Sequence, residues 1–221
     1  MPCKKTPFKM RVISTQFLLL VLVFSGCKEV STVNTTIIEF DNSVKNFTKE
    51  IPLNKNGSPS VFYTLTKTKQ VQLGFDNLEN GYAGLQIRIW YDDGYVDRQK
   101  VIIISYKEAN WEAKVYKTRL SLNDTNKHAV LTSFSKLTPK SGWKNLAERL
   151  INFQILTLPD GDEIENCGGG GGDGNTYIVE IATKKHYRHY SYWQPEEYSD
   201  SCEQAKKMHN ILMLLKNEFI L

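Results

Sequence analysis

The sequence predicts an α+β domain: a largely antiparallel sheet built from a meander and a hairpin, one inserted helix and a closing C-terminal helix. Three patterns point to it. Residues 84–116 hold three apolar or alternating runs separated by short turns. Residues 176–193 hold two more, on either side of Thr183-Lys184-Lys185. Residues 200–219 carry an apolar stripe at helical spacing.

The elements follow in order. From Lys28 to about Pro59 the chain is rich in Thr, Asn, Ser and Lys and ends in the turn cluster Lys55-Asn56-Gly57-Ser58-Pro59. Short apolar pieces such as Ile37-Ile38 and Phe40 interrupt it. Residues 27–59 therefore read as a tether that becomes a first strand or short helix, and residues 60–221 as one α+β domain, long enough for a single core. Ser60–Thr66 is β-branched and aromatic and reads as a strand. Gly84–Tyr91 alternates, with Leu85, Ile87, Ile89 and Tyr91 on one face, and breaks at Asp93-Gly94. Val101–Tyr106 is almost continuously apolar, as a central strand covered on both faces must be. Trp111–Tyr116 alternates again, and short connections make these three a meander. Ala129–Phe134 reads as a further strand.

Ser141 reads as the N-cap of a helix carrying Trp143, Leu146, Ala147, Leu150 and Ile151. Phe153–Leu158 reads as a strand stopped by Pro159-Asp160-Gly161. Thr176–Ala182 and His186–Trp193 form a hairpin. Asp200-Ser201-Cys202-Glu203 has the form of a capping box, with Asp200 at the cap. The last helix then aligns Ala205, Met208, Ile211, Leu212, Leu215 and Phe219.

The amino-terminal segment is an address. Lys4, Lys5, Lys9 and Arg11 precede the apolar run Val12–Phe24, and no acidic residue occurs before Glu29. A spanning helix needs roughly 20 apolar residues. This run is shorter and has Ser14, Thr15 and Gln16 in its first half, which fits a secretory signal. Ser25-Gly26 before Cys27 resembles the lipobox of bacterial lipoproteins, with Phe24 where that family most often has Leu. The resemblance implies that residues 1–26 are a discarded signal peptide and that the sulfur of Cys27 carries diacylglycerol, with acylation of the new amino terminus. It also implies a protein tied through lipid to a membrane of the bacterial envelope, the outer membrane by preference. An ordinary signal peptide cut at the same place is the alternative.

Cysteine arithmetic bears on that choice. The four cysteines are Cys3, Cys27, Cys167 and Cys202. Cys3 leaves with the signal. Lipidation of Cys27 leaves two, which can pair in an oxidising compartment, whereas ordinary cleavage leaves an odd thiol. A Cys167–Cys202 bridge would pin the last helix to the glycine run. Charge changes as well. The chain has 28 basic and 24 acidic residues, and loss of the four leader cations leaves 24 against 24. A neutral mature chain gives no ground for a nucleic-acid partner.

The candidate sites are modest. Gly168–Gly172 lacks the Gly-Lys-Ser/Thr and the helix start of a phosphate loop, so it reads as a linker. Asp160, Asp162, Glu163 and Glu165 make a weak calcium candidate, since Ca²⁺ takes clustered oxygens but the EF-hand order is absent. His186 and His189 point to opposite faces of a strand and cannot easily share a metal. Arg188, Tyr190, Tyr192 and Trp193 could form a binding surface for sugar, peptide or protein, or could cover the core face of the sheet. No catalytic motif and no cofactor signature stands out. The function expected is a lipid-anchored binding module for an unknown envelope ligand or protein. An exported hydrolase or carbohydrate-active protein, and an immunity-type lipoprotein, are the alternatives.

Overall fold

The computed structural model describes residues 32–93, 98–123, 126–167 and 174–220. The leader, Cys27 and the run Gly168–Gly172 lie outside the described residues. The described residues form four α-helices and seven strands: α1 (Thr32–Asn42), β1 (Thr48–Glu50), α2 (Val61–Leu73), β2 (Leu85–Asp93), β3 (Arg98–Lys107), β4 (Asn110–Asn123), β5 (Asn126–Leu137), α3 (Trp143–Asn152), β6 (Asn175–Ala182), β7 (His186–Trp193) and α4 (Glu203–Phe219). Among the described residues the strands make one sheet in the order β1-β7-β6-β2-β3-β4-β5. Only β1 runs parallel to its neighbour. The domain is α+β.

The topology follows from connection lengths. β2 to β5 form a meander because each is joined to the next by a short turn. The chain then crosses through α3 and returns with β6 on the other side of β2, and a tight turn at residues 183–185 sends β7 outward. Because side chains alternate along a strand, the sheet has two different faces. Leu85, Ile87 and Ile89 join Ile102, Ile104, Val115, Val179 and Ile181 on one face, under α1, α3 and α4. Trp90, Val101 and Ile178 look the other way, toward Phe62 and Leu73 of α2. β3 is buried on both faces, as its unbroken apolar run requires.

Two ties hold the helical layer. Cys167 and Cys202 are joined as a disulfide with Cα atoms 5.1 Å apart, closing a 35-residue separation. Loop closure of this length is worth about 3–4 kcal/mol in the chain-entropy model. Glu218 of α4 accepts the Ser141 N–H at 2.8 Å and pairs with Arg149 of α3 at 3.3 Å, so the end of one helix fixes the start of the other.

Several expectations are corrected. Ser60–Thr66 is not a strand but the start of α2, because the Ser60 side chain caps the Tyr63 N–H at 3.2 Å and nucleates a turn that outweighs β propensity. Phe153–Leu158 is a series of turns. The N–H groups of Phe153, Gln154 and Ile155 bond back to Arg149, Ile151 and Leu150, so none is free for a ladder. Ile155, Leu156 and Leu158 are still buried, and that burial is what made the segment look like a strand. Ser141 is not the cap of α3. Gly142 holds that position with no side-chain bond. The cap of α4 is Cys202, whose sulfur accepts the Ala205 N–H at 3.3 Å, rather than Asp200. Most of the expected tether belongs to the domain: Ile37 of α1 is buried in the core, and Asp41 accepts from Thr183 Oγ1 and the Lys185 N–H.

Two apolar side chains of opposite burial, Ile89 of β2 and Val71 of α2, give the sharpest test of this arrangement. Ile89 is fully buried, whereas Val71 is 80% exposed despite lying in a helix that covers a sheet. Ile89→Ala should cost about 2–5 kcal/mol, and Val71→Ala less than about 0.5 kcal/mol, read from urea unfolding. Similar losses at both positions would contradict the packing.

Candidate functional site

An open groove lies where β1 leaves β7. β1 pairs with β7 only from His186 to Arg188, and beyond Glu50 the chain turns away through Ile51-Pro52. The exposed edge of β7 is met by the loop after α3. Asp160 closes that edge: its Oδ2 accepts the Ser191 N–H at 2.8 Å and the Ser191 hydroxyl at 3.1 Å, and its Oδ1 accepts the Asp162 N–H at 3.0 Å. A carboxylate thus does the work of a neighbouring strand. Gly161 permits the approach, because a Cβ there would stand 2.9 Å from the Ser191 carbonyl oxygen. Arg188 fixes the loop from the other side. Its Nε donates to Glu50, its Nη1 to the Leu156 carbonyl, and its Nη2 to the Leu158 carbonyl at 3.1 Å.

Between these groups is a cleft of about 250 Å³ whose polar walls come from Glu50, Asp160, Glu163 and Arg188. Burial raises the Asp160 carboxyl to about 6, against the opposing pull of the Ser191 and Asp162 donors. The cleft therefore combines a carboxyl poised near neutrality with a more exposed one, Glu163. Such an arrangement can bind a small polar group and can exchange a proton with it.

Of the residues predicted from the sequence, Arg188, Asp160 and Glu163 meet here. Tyr190 and Tyr192 do not form a binding surface: each is 1% exposed. Their hydroxyls donate to the carbonyls of Ile155 at 2.8 Å and Pro159 at 2.9 Å. The post-α3 turns cover this face, so the aromatic rings are core. Trp193 is half-buried on the opposite face and packs on Tyr198. The acidic loop does not gather into a cation site. Asp160 turns inward while Asp162, Glu163 and Glu165 are exposed, and among the described residues no three His, Cys, Asp or Glu side chains converge on one point. His186 and His189 do lie on opposite faces, the first stacked on Phe40 and the second edge-on to Tyr63.

A second constellation was not foreseen. Arg88, Glu180 and His189 stand side by side on β2, β6 and β7, on the face beneath α2. Glu180 is fully buried and accepts three bonds: from Gln70 Nε2 at 2.7 Å, Trp90 Nε1 at 2.8 Å and the Tyr187 hydroxyl at 2.9 Å. Arg88 donates through Nε to Gln86 at 2.9 Å and lies 5.5 Å from the Phe75 ring centre. Among the described residues, neither ring nitrogen of His189, nor Arg88 Nη1, finds a hydrogen-bond partner. Burial raises the Glu180 carboxyl, and the charge of Arg88 opposes the rise. Burial also pushes His189 down to about 3, so its ring is neutral. These polar positions alternate with Ile87, Ile89, Val179 and Ile181 and so read as solvent-facing in the sequence. The signal that could have found them is α2, which turns Thr66 and Gln70 inward and leaves Val61, Leu65 and Val71 exposed.

Comparison with protein-family models, with curated proteins and with solved structures finds no match for this chain.

The pH dependence of stability separates the two sites. Asp160 gains its proton near pH 6 when folded and near pH 4 when unfolded, so falling pH stabilises the fold across that window. His189 protonates near 6.5 when unfolded and only near 3 when folded, so falling pH destabilises it there. Each slope is about 1.4 kcal/mol per pH unit, and they oppose one another between about pH 6 and pH 4. His189→Phe should therefore gain stability relative to the parent on acidification across this range, and Asp160→Asn should lose it. Parallel curves for all three proteins in urea titrations would contradict the assignment.

Proposed function

We propose that the chain is a lipid-anchored protein of the bacterial envelope, held through Cys27, and that its folded part is a binding module. The observation that carries this reading is the state of the cysteines. Cys167 and Cys202 are bonded to each other and Cys3 lies in the basic leader, so Cys27 alone remains after signal removal, in a context that resembles a lipobox. Disulfides persist outside the reducing cytoplasm. Five residue steps separate Cys27 from Thr32 at the start of α1, a reach of at most about 18 Å at 3.3–3.6 Å per residue. On this reading the domain works close to the headgroups, within a short radius of its anchor.

Binding is favoured over catalysis because the strongest polar groups are committed internally. Glu180 is enclosed beneath α2, and Arg188 is spent on Glu50 and two carbonyls. One observation supports an exported hydrolase as the second reading: the Asp160 carboxyl is raised to about 6 beside Glu163 in the same cleft, a pairing suited to general acid–base work.

Metabolic labelling with a fatty-acid analogue tests the anchor. The parent should incorporate label and fractionate with membranes, and Cys27→Ala should do neither. Equal labelling of the two would overturn the proposal.

A further inference from the structure

The sheet ends very differently on its two sides. On one side β1 is three residues long, and the next N–H of β7 is taken by Asp160. On the other, β5 is twelve residues long and is the terminal strand. Gln72 of α2 caps its Ala129 N–H at 2.7 Å, and beyond that point, among the described residues, the edge from Val130 to Leu137 has no strand outside it. A long edge is a template for another chain, and proteins usually blunt it with proline, charge or a bulge. β5 has no proline and no acidic residue. It has one irregularity, opposite Lys117/Thr118. Leu131 and Phe134 lie on its α2-facing side, 40% and 58% exposed, and Phe134 stacks on Tyr116 of β4.

Charge is sorted toward this edge although the mature chain is neutral overall. The register sets Arg98 opposite Arg119, Lys100 opposite Lys117 and Lys114 opposite Lys136. Directly opposed like charges weaken a sheet, yet the pattern recurs three times across β3, β4 and β5. Glu112 pairs with Lys114 at 3.1 Å. Lys100 instead rests on the Tyr91 ring at 4.3 Å. Its ammonium is pushed down first by burial and further by Lys216 and Lys117. The β-strands that bear these cations end in the one long open edge.

We infer that the β5 edge is the docking strand for an acidic, extended segment of a partner protein, which adds to the sheet as an eighth strand. Backbone hydrogen bonds supply the pairing in this mode, and alternate side chains supply selectivity. Carboxylates on one side of the added strand face Lys117 and Arg119, and apolar side chains on the other cover Leu131 and Phe134. The inference rests on the binding-module reading and names the surface that module uses.

The test is fluorescence anisotropy of the purified full chain with two labelled eight-residue peptides, one alternating Val and Glu and the other Val and Lys. The Glu peptide should bind at least tenfold more tightly near physiological salt, and weaken as salt rises. A Lys117→Glu, Arg119→Glu variant, both positions exposed, should invert the preference. Lys136→Pro, which removes an outward-facing N–H of the edge and is checked for folding by circular dichroism, should weaken the Glu peptide. Failure of the Glu peptide to bind, or equal binding of the two, would overturn the inference. In that case the lysines serve only to keep copies of the chain apart. Labelling at Cys27 is read separately, so this failure leaves the anchor untouched.

Discussion

The constraint on which the rest of the structure depends is the carboxylate of Glu180, placed without solvent contact in the middle of a sheet. An ionised group in that position is tolerable only when it is hydrogen-bonded and faces an opposite charge. Three donors come from three different elements: Gln70 from α2, Trp90 from β2 and Tyr187 from β7. Arg88 stands directly across from it on β2. Satisfying Glu180 therefore requires that β2, β6 and β7 be in register and that α2 lie over them with Gln70 inward. The orientation of α2 follows, and with it the exposure of Val61, Leu65 and Val71. Polar bonds thus join the apolar contacts of Phe62 and Leu73 in positioning the helix.

The same constraint explains what could be read from the sequence. Strands β2, β3, β4, β6 and β7 were legible because alternation and continuous apolar runs reflect the pleat directly, and α4 because its stripe faces a uniform apolar core. The regions that misled were those where a polar interaction or a turn decides the local structure. Ser60–Thr66 has strand-like residues, but a single Ser60 cap and the pull of Glu180 on Gln70 make it helical. Ile155, Leu156 and Leu158 are buried by turns that Arg188 and Tyr190 hold from β7. The candidate site was legible in part. Asp160 and Arg188 stood out as residue types, but only the fold places both at the end of β1. Tyr190 and Tyr192 read more readily as core than as surface, because strands are rich in aromatics, and the loop that covers them makes them core. The row of Arg88, Glu180 and His189 is invisible in one dimension, since each residue is a lone polar position on a different strand.

The functional picture is one of separated tasks. On the proposed reading, the Cys27 address and the Cys167–Cys202 bridge would serve compartment, and the cleft at Asp160 and the edge of β5 recognition, while the polar layer beneath α2 belongs to architecture. Separation matters physically. The two proposed sites lie at opposite ends of the strand order, so a ligand at one would not compete with a partner at the other.

The most direct measurement of this account is a double-mutant cycle between Arg88 and Glu180, using Arg88→Met, Glu180→Gln and the double variant in urea unfolding. The account predicts that each single change costs about 3–5 kcal/mol by stranding its buried partner, and that the double change costs less than the sum by more than about 1.5 kcal/mol. Additivity within about 0.5 kcal/mol would contradict it, since the two groups would then be independent and α2 would owe its placement to something other than their shared burial.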